Sequence, residues 1–394
     1  MEAQDKDSHK TCTPKAVIVL ILFIIFGIAS LIVIIILVKK TENNYNSYII
    51  GDKIIETDND TEVHYYKVNT NIEHYIFDLS DNVKRTHVKY ENRYGIKLAA
   101  DLYTPKNLDK SKKYPGIVIG PPYGGVKEQS PGVYSNQLAQ RDFICLAFDP
   151  SFNGESGGKK RKVSSSDIFV EDFSAGVDYL GTLEYIDRDK IGGIGICGSG
   201  GFLLGAAAID VRFKAIVTSV MYDISEYVIS FDSWENAVNN LANKRWADVD
   251  NGYQEFNPAY APDKVYVDDT LPSLPSGGNF TEFKKFYTTQ RGHHPRGTGG
   301  FTSTSDSSIM NFKATANIDK ISPRPILFIT GSKAHSINFT VNAYNTAKKN
   351  NPNTKYFPVP DALHIDLYDN VTLIPFDNIT EFFKEKLNLN ISSE

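Results

Sequence analysis

Apolar and polar positions divide this chain into three regimes. From Ala16 to Val38 the residues are apolar, interrupted only by Gly27 and Ser30. At 1.5 Å per residue such a helix reaches about 34 Å, enough to cross a bilayer core. The pattern predicts a short tail (residues 1–15) and one transmembrane helix (16–38). A cleaved signal peptide is the competing reading; the run is long for one, and Val38 passes straight into Lys39-Lys40 without a small-residue cleavage site. Lys6, Lys10 and Lys15 on one flank balance Lys39, Lys40 and Lys53 on the other, so charge leaves open which side holds the body. Asn-x-Ser/Thr sequons such as Asn279 and Asn338 arise readily in a chain this rich in those residues and leave the side equally open.

Residues 39–80 are polar, rich in Asn, Asp and Tyr, and read as a stalk. Thereafter, over 81–394, the apolar period alternates between two and 3.6. Strands are predicted at 96–103, 116–120, 143–148, 191–196, 213–220, 325–330 and 355–359. The intervening helices include one opened by Ser130-Pro131 and one with Phe169, Phe173, Val177 and Leu180 on a single face. Strand–helix alternation of this kind specifies an α/β fold, with a mostly parallel sheet and helices on both faces. From about 225 to 320 the rhythm breaks into an aromatic, Gly/Pro-punctuated segment with Trp234, Trp246, Tyr253, Phe256, Phe283, Phe286 and Tyr287, which reads as an inserted cap.

Composition narrows the function. The 394 residues are 41% hydrophobic and 23% charged, an ordinary globular mixture. A net charge of -5 without long single-sign runs offers no footprint for a phosphate backbone, so nucleic acid is not an expected partner. Cys12, Cys145 and Cys197 are too few and too dispersed for a disulfide scaffold or a thiolate metal site. No metal or organic cofactor is implied.

Candidate chemistry gathers after the strand at 191–196. Ser199 stands at a strand-to-helix junction between glycines, the setting of a nucleophile elbow, although Cys197 occupies the first glycine position of G-x-S-x-G. The same residues also fit a dinucleotide fingerprint, Gly193-x-Gly195-x-x-Gly198, with Asp223 after the next strand; that motif normally opens a sheet, whereas this one falls mid-sheet with its first glycines inside the strand. Among the eight histidines, His364 follows the last predicted strand, where a serine's general base is expected; a surface loop histidine is the bland alternative. The segment Gly120-Pro-Pro-Tyr-Gly-Gly125, read alone a tight turn, can aim backbone N–H groups of Tyr123 or Gly124 at an oxyanion, with Gly200 N–H as second donor.

Several strings carry a resemblance: Tyr-Gly-Gly-Val-Lys-Glu-Gln from Tyr123, Phe-Asp-Pro-Ser-Phe-Asn-Gly-Glu-Ser-Gly-Gly from Phe148, Gly-Ile-Cys-Gly-Ser-Gly-Gly from Gly195, Arg-Gly-His-His-Pro-Arg from Arg291, and Ile-Ser-Pro-Arg-Pro-Ile-Leu from Ile321. From about residue 85 onward the chain resembles the alpha/beta-hydrolase superfamily, in particular the group near dienelactone hydrolases and X-Pro dipeptidyl-peptidase-like esterases that includes fungal polyketide transferases. It departs from that group in having Pro121-Pro122 where His-Pro is common. The resemblance implies a triad of Ser199, His364 and an acid. Between Ile329 and Phe357 there is no Asp or Glu, and Asp361 and Asp366 lie within three residues of His364, near enough for a local contact but too near for the usual separate acid; the expected acid is Asp223, with Glu226 as fallback and a helix cap as Asp223's plain alternative.

The expected protein is a membrane-anchored serine hydrolase. It would cleave an ester or related acyl bond of a small molecule with an apolar portion and contact the lipid bilayer through 16–38. An acyltransferase or thioesterase of the same fold is the nearest alternative, and a non-catalytic binding protein the more distant one. The cap aromatics either line an apolar pocket over Ser199 or form the cap's own core. Arg291 and Arg296 either hold a carboxylate or bracket the His293-His294 turn.

Overall fold

The computed structural model describes residues 74–229, 233–252 and 279–389, together with 254, 256 and 259–260. The tail 1–15, the predicted transmembrane helix 16–38 and all but the end of the 39–80 stalk lie outside the described residues, as does Tyr253. Among the described residues no helix is long and apolar enough to cross a membrane.

Eight strands form one sheet: β1 (Val83–Glu91), β2 (Lys97–Pro105), β3 (Tyr114–Gly120), β4 (Ile144–Phe148), β5 (Ile186–Ile196), β6 (Ala215–Ser219), β7 (Ile326–Gly331) and β8 (Thr354–Val359). Their order is β1-β2-β4-β3-β5-β6-β7-β8. β2 is antiparallel to β1 and to β4, and every pairing from β4 to β8 is parallel. The expected α/β class with a mostly parallel sheet is therefore the one observed. β4, β6 and β7 are buried along their whole length because helices cover both faces, which is why they read as continuous apolar runs.

Three helices follow in the first half: α1 (Ser130–Ala139), α2 (Ser166–Thr182) and α3 (Ser199–Ile209). Between β6 and β7 the chain carries α4 (Ile224–Ile229), α5 (Trp234–Asn251), α6 (Asn279–Thr288) and α7 (Asp306–Ile309), and after β7 come α8 (Ile337–Lys348), α9 (Asp366–Asp369) and α10 (Phe376–Lys386). α5 is capped by Ser233, whose Oγ accepts from Asn236 N, and stopped by Gly252 at φ 73°; none of its residues is buried. α3 opens on Ser199-Gly-Gly and lies so close to its strand that a Cβ on Gly195 would stand 2.3 Å from the Ser199 carbonyl oxygen. This close approach fixes the turn between β5 and α3.

Candidate active site

The loops that leave the carboxyl ends of β3, β5, β6, β7 and β8 converge, as expected for ligand sites in open parallel sheets. At their centre is Cys197 rather than Ser199. Cys197 occupies the tip of the β5–α3 turn in left-handed conformation, φ 53°. Its backbone is held by three bonds: its N–H donates to Ser219 O (2.9 Å), and its carbonyl accepts from Gly200 N (2.9 Å) and Tyr222 N (3.0 Å). The side chain lines a cavity that Tyr123 and Tyr368 also line, and the backbone N–H groups of Gly198 and Tyr123 and the Tyr368 hydroxyl favour its anion. Burial nevertheless dominates and pushes the thiol up to about 11, so it rests protonated.

Ser199 begins α3 and turns the other way. A Cβ on Gly120 would lie 2.8 Å from its Oγ and 2.3 Å from the Phe173 ring. Ser199 shares a narrow crevice with Pro121, Phe148, Phe169, Phe173 and Phe202, under the β3–α1 loop. No hydrogen bond joins Ser199 to His364, whose ring nitrogens meet Ser336 and Tyr368 instead. The physical reason is the turn's geometry: the residue at positive φ is the one thrown outward, and that residue is Cys197. Gly200 N–H is likewise engaged by the Cys197 carbonyl and is not free to face an oxyanion. Of the expected donors only Tyr123 bears on the Cys197 sulfur. Gly124, at φ 82°, instead permits close approach to the cap, since a Cβ there would meet Gly299 Cα at 2.5 Å.

His364 is fully buried. Its Nδ1 is 2.6 Å from Ser336 Oγ and its Nε2 3.1 Å from the Tyr368 hydroxyl. The ring packs against Tyr222, Phe283 and His335, with centroids 5.3, 5.3 and 4.8 Å away. Burial and the neighbouring His335 hold its pKa well below the ordinary imidazole value. Asp223 does not touch it: Oδ1 accepts from Ser225 N (3.1 Å), Ser225 Oγ (2.5 Å) and Glu226 N (3.4 Å), which makes Asp223 the cap of α4. The expected acid is thus corrected to a helix cap, and Glu226 lies on that same helix. Ser336, after β7, holds the Nδ1 position.

A cavity of about 140 Å³ opens over Cys197, lined by Tyr123, Tyr222, Tyr260, Phe283, Tyr287 and Tyr368 among others. The cap aromatics divide between the two expected roles: Phe283 and Tyr287 face the cavity, Phe286 packs into the core against Tyr368, and Trp234 and Trp246 are exposed. A larger cleft of about 590 Å³, lined by Arg245, Trp246, Asp248 and Thr304 among others, has no thiol or histidine in its wall among the described residues.

Three of the resemblance-bearing strings meet in one ion cluster beside the β3–α1 loop. Lys127 Nζ bonds Glu128 (2.5 Å), Glu155 (2.8 Å) and Asp149 (3.2 Å), and Arg296 bonds Glu128 at 2.6 Å. The carboxylates of Glu128, Asp149 and Glu155 are close enough to hold a cation, but Lys127 already supplies that charge. Arg291 bonds Asp369 through two 2.8 Å contacts. Both arginines thus bind internal acids.

Comparison with known proteins agrees with this architecture. The family model described as X-Pro dipeptidyl-peptidase (S15 family) matches residues 94–310, which include Tyr123 and Cys197. The chain is 43% identical over 324 residues to Uncharacterized protein PA2218 of Pseudomonas aeruginosa, covering 79% of this chain and 83% of that one. The crystal structure of that protein superposes with a TM-score of 0.73 at 40% identity, over 83% of this chain and all of that one. Alpha/beta hydrolase GrgF from Penicillium shares the fold, with a TM-score of 0.61 at 16% identity over 77% of this chain and 99% of that one. A shorter similarity, 29% over 136 residues, covers 34% of this chain and 42% of Acyltransferase drtE from Aspergillus calidoustus. With the sheet order, the elbow and a matched stretch spanning more than half its length, the chain belongs to the X-Pro dipeptidyl-peptidase (S15) family and has the alpha/beta-hydrolase fold.

Proposed function

We propose that this protein is a thiol-dependent hydrolase or acyltransferase acting on an ester or thioester through an acyl-Cys197 intermediate. The observation that carries the reading is Cys197 itself: a positive-φ residue at the strand–helix turn, facing an aromatic cavity, whose anion the backbone N–H groups of Gly198 and Tyr123 favour. When sulfur attacks a carbonyl carbon, the developing oxyanion forms beside that sulfur. The N–H groups of Tyr123 and Gly198 then stabilise it without reorganising. His364 supplies the base and returns the proton to the departing alcohol or thiol. Water resolves the acyl-enzyme in hydrolysis; an alcohol or amine does so in transfer. The similarity to an acyltransferase supports keeping both acceptors. The cavity suits a short or planar apolar acyl group.

The test is acid-quenched peptide mapping of the full-length protein after brief exposure to an activated acyl ester and an acyl thioester. The acyl mass is expected on the peptide containing Cys197 and should vanish in Cys197→Ala. Ser199→Ala and Asp223→Asn should keep acylation within about fivefold, since neither side chain touches the reacting atoms. Acylation of Ser199 would overturn the thiol reading.

We also propose that residues 16–38 anchor the protein in a membrane, on the strength of their apolar length. Full-length protein should then stay with the membrane through an alkaline carbonate wash. Its release into the wash would end that proposal.

A further inference from the structure

Beside His364 three polar atoms are buried without hydrogen-bond partners: Glu282 Oε2 and both ring nitrogens of His335. Glu282 comes from α6 of the cap, and its Oε2 is 3.9 Å from His335 Nδ1, beyond hydrogen-bond reach but within that of an ion pair. His335 comes from the loop after β7. It immediately precedes Ser336, whose Oγ is 2.6 Å from His364 Nδ1, and its ring lies 4.8 Å from the His364 ring at 35°. Phe283, next to Glu282, packs on both imidazoles with centroids 5.2 and 5.3 Å away, and Phe286, one turn on, packs on Tyr368 at 5.2 Å. Residues 282, 283 and 286 share one face of α6, so the helix is docked with Glu282 toward the histidines. Buried polar atoms left unpaired cost stability, and such groups concentrate where chemistry needs them.

We propose that Glu282 is a positioning residue that acts through His335 to supply the negative charge that His364 and Ser336 lack. The inference rests on the reading of His364 as base and Cys197 as nucleophile. In acylation the Cys197 proton goes to His364, the sulfur pair forms the S–C bond, and the carbonyl π pair moves onto the oxyanion. The imidazolium is the one cation this step creates. An anion one ring away stabilises it, as the carboxylate of a triad does, while Ser336 only orients the ring. When the adduct collapses the leaving group takes that proton, and Glu282 and His335 end as they began.

The other titratable groups around the two rings leave this role to Glu282. Tyr222 lies 5.9 Å from His335 and 5.3 Å from His364, and the Tyr368 hydroxyl is 3.1 Å from Nε2. Burial raises both phenols above their ordinary value, so neither is an anion near neutral pH. The Cys197 thiol, in the cavity wall with both tyrosines, is pushed up in the same way. Lys333, two residues before His335, is exposed and paired with Asp361 at 2.8 Å. A protonated His335 opposes a second proton on His364. On the acid limb of the pH profile the two imidazoles therefore share one proton, and Glu282 fixes how tightly they hold it.

The experiment measures single-turnover formation of acyl-Cys197 against pH in full-length wild type, Glu282→Gln, His335→Asn and the double variant, with thermal melts alongside. Glu282→Gln is expected to lower the plateau rate about tenfold and to move the acid limb about one pH unit downward, because an imidazolium that loses its anion releases its proton more readily. In the His335→Asn background Glu282→Gln should add less than about threefold, since the charge acts through that ring; the same tenfold drop there would overturn the part given to His335. A limb at the wild-type pH in Glu282→Gln, whether or not the rate falls, would overturn the inference and reduce the carboxylate to a structural contact. If Glu282→Gln does not fold, Glu282→Asp takes its place: its carboxylate is withdrawn by one methylene, its limb should again move downward, and a limb at the wild-type pH overturns the inference. Failure to form any acyl-Cys197 in wild type would instead remove the nucleophile reading, whereas acylation indifferent to Glu282 leaves that reading standing.

Discussion

Ser336 gives His364, the base of the proposed mechanism, an uncharged partner. In a triad with an acid, the carboxylate both orients the imidazole and stabilises the imidazolium. Ser336 Oγ, 2.6 Å from Nδ1, can orient His364 but brings no charge. Ser336→Ala leaves a buried N–H without an acceptor, worth about 1–3 kcal/mol, and should slow acylation about tenfold or more. Ser336→Asp should raise the pKa of the imidazole, because an anion now faces it, and move the acid limb of the pH–rate profile upward. A single pH series of acylation rates on the two variants checks both outcomes. The loop sequence shows that no acid follows β7, which is correct as far as it goes; looking for the acid elsewhere led to Asp223, whose carboxylate instead caps α4. A Ser filling a position normally given to Asp has no signature in a single sequence. Cys197 left a better trace: Gly195-Ile-Cys197-Gly-Ser199 keeps the five-residue frame of an elbow, with Ser in place of the final glycine.

At the scale of elements, the β5–α3 turn carries the site, and its tolerance for change is low. A Cβ on Gly195 would stand 2.3 Å from the Ser199 carbonyl oxygen and 2.6 Å from the carbonyl carbon, both backbone atoms that no rotamer change can move. Gly195→Ala should therefore destabilise the protein by about 3 kcal/mol and displace the thiol, read as a lower denaturant midpoint together with lost acylation. The loop after β3 is pinned by Lys127, whose backbone N–H and ammonium both bond Asp149. That contact holds the Tyr123 N–H donor in place from outside the site. The strings that carry the family resemblance around Lys127, Asp149 and Glu155 are explained by this scaffold, not by direct chemistry.

Across the whole molecule, the antiparallel edge is tied to the helical layer by a buried network. Asp172 of α2 accepts from Asn92 Nδ2 (2.9 Å) in the β1–β2 turn, and from Ser151 N and Oγ (both 2.7 Å) after β4. Burial outweighs these bonds and raises the carboxyl to about 7. A raised acid binds its proton more tightly in the folded than in the unfolded chain. Its contribution is therefore full below the ordinary value of 3.8 and is lost as pH rises to about 7. Wild-type stability relative to Asp172→Asn should fall across that window by up to about 4 kcal/mol, since each tenfold difference in proton affinity between folded and unfolded chain is worth roughly 1.4 kcal/mol. Denaturant titrations of both proteins at several pH values measure it; a constant difference would show that Asp172 stays ionised.

The α/β class and the positions of β2 to β8 were legible in the sequence because hydrophobic periodicity reports burial element by element; β1, an edge strand with few buried positions, left no such trace. The apolar run 16–38 is a property of the sequence alone. So was the region of the chemistry, since glycines crowded between a strand and a helix mark a tight junction. Which side chain leaves that junction outward depends on a backbone angle: φ at Cys197 is positive, and the neighbouring serine is carried into α3. Likewise, the partner of His364 is set by how the ends of β7 and β8 come together, a contact across 28 residues of chain. Residue identity and spacing restrict the candidates for such contacts. Only the packed loops decide among them.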